Sequence, residues 1–136
     1  MQHYSGMLVL AHGRTAEDKL RIGMISSIDA AQGRAKIAFG DFSSANLPAP
    51  DILVLKDKNQ LYRDLLTSAS VMETADFKAV FKVSMLQDRP GSAALMEALE
   101  LLKDRPGALQ LATVSLQEKI NSSLELHNGA ERGKSR

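Results

Sequence analysis

The chain has 136 residues, 44% of them hydrophobic and 24% charged, proportions that suit a globular protein with a core of its own and exclude one too polar to fold. Its 17 basic and 16 acidic side chains leave a net charge of +1, without the strong positive field on which nonspecific phosphate binding draws. The lack of cysteine excludes disulfides, thiolate nucleophiles and thiolate metal sites, and it fits a reducing cytoplasm.

In chain order, Met7 to Ala11 is the first apolar run. It is far shorter than the roughly 18 to 20 residues of a membrane helix and has no basic region before it, so neither a membrane segment nor a secretory signal is expected. Gly13-Arg14-Thr15 breaks the run ahead of a polar stretch, Ala16 to Lys19. From Arg21 the sequence RIGMISSIDAAQGRAKIAFGD reads as a β-hairpin. In its first arm Ile22 and Met24 share one face, but Ile25 and Ile28 break strict alternation, so the strand is either covered on both faces or bulged. In the second arm Ala35, Ile37 and Phe39 face one way and Arg34 and Lys36 the other, the period of a half-buried strand. The link from Asp29 to Gly33 ends in a glycine that can supply a positive φ.

These residues, followed by Leu47-Pro48, resemble the opening of the phage baseplate assembly protein V family and related spike proteins. The match is carried by Gly23, Ile25, Ile28, Asp29, Gly33, Arg34, Lys36, Ile37 and Phe39. The resemblance implies an OB-like or partial barrel and a structural role in a phage tail or baseplate. The family's later barrel strands and tryptophan-rich loop are not recognisable here, which puts barrel closure in doubt.

Asp41 to Asn46 reads as loop, Pro48 and Pro50 argue against a central strand, and Ile52 to Leu55 is a further short strand. After Asp57 the pattern becomes helical. Asp57 or Asn59 can cap a helix carrying Leu61, Tyr62, Leu65 and Leu66 and ending near Ser68 to Ser70. Asp76 to Leu86 fits both periods. Alternation of Phe77, Ala79, Phe81, Val83 and Met85 favours a strand, and the spacing of Phe77, Val80, Phe81 and Ser84 keeps a helix open. Ser92 to Lys103 is a helix with Leu95, Leu99 and Leu102 on one face and Met96 beside them. A last helix, Ala108 to His127, carries Leu109, Ala112, Leu116, Ile120 and Leu124 and stops at Asn128-Gly129.

The tetrapeptide Asp-Arg-Pro-Gly occurs twice, at 88–91 and 104–107. Each copy reads as punctuation: proline turns the preceding residue away from the helical region, and Asp88 and Asp104 would cap the helices that follow. A paired anion site built from Arg89 and Arg105 is disfavoured, because a helix separates the two.

His3, His12 and His127 show no metal-ligand spacing, and no nucleophile elbow, Walker loop or dinucleotide fingerprint occurs. Asp29, Asp41, Asp51 and Asp57 sit in turns and caps, where carboxylates serve the backbone. No catalytic residue, cofactor or metal is therefore expected, and the chain reads as non-enzymatic.

The expected fold class is α+β: a small antiparallel β-module over 5–56, then a mainly helical half over 57–128 that ends in a helical hairpin, all one domain, with 129–136 a flexible tail. The function expected is a protein-interaction or assembly module in the cytoplasm, or in a virion if the phage resemblance holds, working with a protein partner or as a homo-oligomer. The alternative is a small nucleic-acid-associated regulator contacting its ligand through Arg34, Lys36, Phe42 and the tail residues Arg132, Lys134 and Arg136.

Overall fold

Along three neighbouring stretches, apolar side chains recur at every second position, Val9 and Ala11, Gly23 and Ile25, then Ala35, Ile37 and Phe39, and all seven residues are buried. That period sends one set to one face of a sheet. The computed structural model of the chain describes residues 5–12 and 20–122. Its strands are β1 (Leu8–Ala11), β2 (Arg21–Asp29), β3 (Arg34–Phe39), β4 (Ser44–Pro48), β5 (Leu53–Leu55) and β6 (Thr113–Ser115). Its helices are α1 (Lys58–Ser68), α2 (Thr74–Leu86), α3 (Ser92–Lys103) and α4 (Pro106–Ala112), with α5 covering 116–122 of the described residues. The fold class is α+β.

All strand pairs are antiparallel, in the order β4-β3-β2-β1-β5-β6. The sheet is open and does not close into a barrel. The hairpin of β2 and β3 forms as its sequence indicates. Gly33 turns it with φ 66°, and a register shift between Ile25 and Ser27 is the bulge that the broken alternation foretold. Gly23 lies against β3 so closely that an added Cβ would meet the Ile37 side chain.

The sheet has an apolar core on each face. On one, Leu10 packs with α1 to α4 through Leu61, Leu65, Val80, Val83, Leu99 and Ala108. On the other, Val9, Ile25, Ile37 and Val54 pack with Leu116 and Ile120 of α5. β1 therefore feeds both cores from alternate residues.

Several expectations are corrected. Residues 76–86 form a helix, not a strand. Ala79, Val80, Val83, Ser84 and Leu86 are buried at helical spacing, while Phe81 and Met85, which a strand would have buried, stand outside. Asp41 to Asn46 is not all loop, because 44–48 pairs with β3 as an edge strand, with Pro48 at its last position. The expected Ala108 to His127 helix is broken at Thr113–Ser115. There the backbone pairs with β5, bracketed by Lys56 N donating to the Ala112 carbonyl at 2.9 Å and Leu116 N to the Ile52 carbonyl at 2.7 Å. An open strand edge presents a row of donors and acceptors, and β-branched Thr113 and Val114 suit strand geometry better than a helix interior. The second arm of the expected helical hairpin is accordingly the short α4. Leu124, His127 and the Asn128-Gly129 stop lie outside the described residues, as do His3 and residues 13–19.

Both Asp-Arg-Pro-Gly copies are punctuation, but their aspartates are not caps. α3 starts after Gly91, at φ 94°, and α4 after Arg105, neither with a side-chain cap. Each copy instead closes the helix before it: Arg89 N donates to the Leu86 carbonyl at 3.1 Å, and Arg105 N to the Leu102 carbonyl at 3.0 Å. Asp88 is drawn away to an ion pair with Lys58. The two arginines flank α3, whose 12 residues span about 18 Å, and Arg105 pairs with Asp76 at 3.4 Å.

Candidate interaction site

Four features on this frame could serve a ligand or partner. The first is a face of β2 and β3 on which Met24, Ser26, Lys36 and Ala38 are exposed among the described residues. Lys36 is exposed opposite Asn46, whereas Arg34 is half-buried, donates to the Asn46 carbonyl at 2.8 Å and pairs across the strand with Asp29. The two cations expected to contact nucleic acid thus share a face, but one is occupied and faces a carboxylate. Arg132, Lys134 and Arg136 lie outside the described residues.

The second feature is the turn between β3 and β4. Phe42 adopts φ 69° and is fully exposed, at 102%. The left-handed conformation costs a residue with a Cβ about 1 to 2 kcal/mol, and the turn around Phe42 is correspondingly braced. Asp41 accepts hydrogen bonds from the Ser43 hydroxyl and amide and pairs with Arg21 at 2.8 Å, and the Arg21 guanidinium lies 4.4 Å over the Phe39 ring. The Ser43 hydroxyl, then its amide, then Arg21 hold the Asp41 carboxyl down at about 2 against the ordinary 3.8. An aromatic ring is thereby held out on a fixed stalk.

The third is the outer face of α1 and α2. Asp57 caps α1, accepting from Gln60 N at 3.0 Å, and Leu61 and Leu65 face the core. Tyr62 and Leu66, read from sequence as part of the same stripe, are instead about half exposed. An arc holding all four is wider than one contact buries, which is the signal that could have found them. The Lys58–Asp88 pair ties the start of α1 to the end of α2, so the helices run in opposite directions. On α2, Phe81 and Met85 are also about half exposed, and the Phe77 and Phe81 rings stack with centroids 6.3 Å apart.

The fourth is a cleft. β1 and β5 share a single register pair, Leu10 with Leu53, and where they part a cavity of about 510 Å³ opens, lined by Leu8, Leu55, Leu95 and Leu99 with Ser92 and Gln87 among its polar members. Gln87 Nε2 donates to the Lys56 carbonyl at 2.8 Å. That bond fixes the amide and leaves Gln87 Oε1 buried with no donor among the described residues, a state that costs about 1 to 3 kcal/mol. Beside the cleft, Lys56 Nζ meets Asp64 at 2.6 Å, and Lys56 followed by Gln60 lowers the Asp64 carboxyl below its ordinary range.

No three His, Asp or Glu side chains gather in metal-binding geometry among the described residues, and no helix among them is long and apolar enough to cross a membrane. Comparison with protein-family models, with curated proteins and with solved structures finds no match to this chain.

Proposed function

We propose that the chain is a non-enzymatic protein-interaction module, and that its docking face is the outer surface of α1 and α2. The observation that carries this reading is that four large apolar side chains, Tyr62 and Leu66 on one helix and Phe81 and Met85 on its neighbour, are left exposed. Apolar side chains grouped on a surface and rimmed by polar residues mark interaction sites more often than scattered ones do. Lys58 and Lys82 on the same helices are paired with Asp88 and Glu97, so the occupant best suited is an apolar segment of a partner protein. A baseplate-like assembly role, as the hairpin's resemblance implies, is one form of the same reading.

The test is capture of partners from the native cell extract by the full chain, set against a Leu66→Lys, Phe81→Lys variant. Leu66 and Phe81 are about half exposed and Phe81 stacks on Phe77, so the variant should stay folded at a cost of about 1 to 3 kcal/mol in all. A partner held by the parent, lost by the variant and indifferent to nuclease supports the reading. A partner that survives both substitutions sinks this face, and one that nuclease releases favours the nucleic-acid reading through Arg34, Lys36 and Phe42.

A further inference from the structure

The Phe42 turn and the Leu95 cleft lie at opposite ends of the same sheet. Leu8 pairs with Met24 and Ala11 with Arg21, so residues 5–8 mark one end of β1 and Arg21 the other. Phe39 pairs with Gly23, and Asp41 reaches Arg21, which sets the β3–β4 turn at the Arg21 end. The cleft opens at the other end, beside Ser5, Gly6 and Leu8. One chain thus carries a projecting aromatic knob at one end and an apolar hole at the other, and it cannot place its own knob in its own hole.

We infer that Phe42 of one copy inserts into the cleft between β1, β5 and α3 of a second copy, joining chains head to tail. Two observations carry this. The knob is fully exposed on a backbone conformation that disfavours phenylalanine, held by the Asp41, Ser43 and Arg21 contacts, and strain retained in this way points to use. The cleft, at about 510 Å³, has the size and the apolar lining of sites that take a ring, and an aromatic residue buries about 150 to 250 Å² on entry. A knob and a hole on different surfaces make a heterologous contact, which extends into a ring or an open chain instead of closing as a two-fold dimer.

The inference shares the interaction reading but stands on other residues than the α1–α2 face, so each can fail alone. The experiment is sedimentation velocity on the full chain and two variants. Phe42→Asn removes the knob while keeping a residue that tolerates a positive φ. Leu95→Trp fills the cleft; should it not fold, Ser92→Trp, exposed at the start of α3, closes the mouth instead. Over about 10 μM to 1 mM, where a contact this small is expected to act, the parent should associate progressively, and each variant alone should do so at least tenfold more weakly. An equimolar mixture of the two variants should form a dimer and stop there, because one knob and one hole remain and both outer ends are blocked. A parent that stays monomeric, variants that associate like the parent, or a mixture that stays monomeric each overturns the inference. Association lost instead in the Leu66→Lys, Phe81→Lys variant would place self-contact on the α1–α2 face and leave the interaction reading standing.

Discussion

At the scale of single residues, the turn around Phe42 shows how a short polar cluster can hold an otherwise unfavourable backbone. Asp41 carries its folded-state pKa at about 2, below the ordinary 3.8, chiefly because the Ser43 hydroxyl donates to it. A depressed carboxylate contributes stability that is present above its unfolded value and is lost as pH falls through its folded one. The turn should therefore hold above about pH 4 and loosen progressively from there down through pH 2. Carbon-detected NMR titration of the Asp41 carboxyl should give a midpoint near 2 in the parent, and Ser43→Ala should move it up toward 3.8. A parent midpoint already at 3.8 would show that Ser43 does not brace this turn.

At the scale of elements, what could be read from the sequence was whatever neighbours in the chain decide. The Gly33 turn, the β2 bulge, the Asp57 cap and the bounds of α3 all follow from residues a few positions apart. The misreadings arise where a distant partner intervenes. Asp88 was taken by Lys58, the free edge of β5 drew Thr113–Ser115 out of a helical pattern, and the ambiguity of 76–86 was resolved by the core that α1 and α3 supply. The candidate site divides the same way. Arg34, Lys36 and Phe42 could be named as candidates from residue type alone, whereas the cleft joins residues 5–8, 55–57, 87 and 92–99, which only the fold brings together.

Gly107 belongs to this second kind. It lies in the first turn of α4, where an added Cβ would run into the Asp76 carboxylate, which itself pairs with Arg105. An acidic group there complements the helix N-terminus. Replacing a helical glycine by alanine ordinarily gains about 0.5 to 1 kcal/mol. Here Gly107→Ala should give no gain in the parent, because it displaces Asp76, and should give the ordinary gain once Asp76→Ala has removed the obstruction. A double-mutant cycle from urea melts reads the difference as a coupling of about 0.5 to 3 kcal/mol; additive effects would mean that Asp76 yields at no cost.

At the scale of the whole molecule, the two cores are joined by shared strands. β1 gives Leu10 to the helical side and Val9 to the other, and the stripe that read as one long helix is divided between them, Ala112 on the helical side and Leu116 and Ile120 on the far side. The three residues of β6 carry the chain from one face of the sheet to the other. A cavity cut on either face should therefore weaken the same strands. Leu99→Ala and Leu116→Ala, each at a fully buried position on opposite faces, should each cost about 2 to 5 kcal/mol. Calorimetry should show one transition in both variants, shifted down as a unit, with calorimetric and van't Hoff enthalpies equal. If Leu116→Ala splits off an early transition while the helical side melts unchanged, α5 is a dispensable cover and the far face is not a core on which β1 depends. That outcome would also predict an intact cleft in the early-melted state, since Leu95 and Leu99 belong to α3 on the helical side.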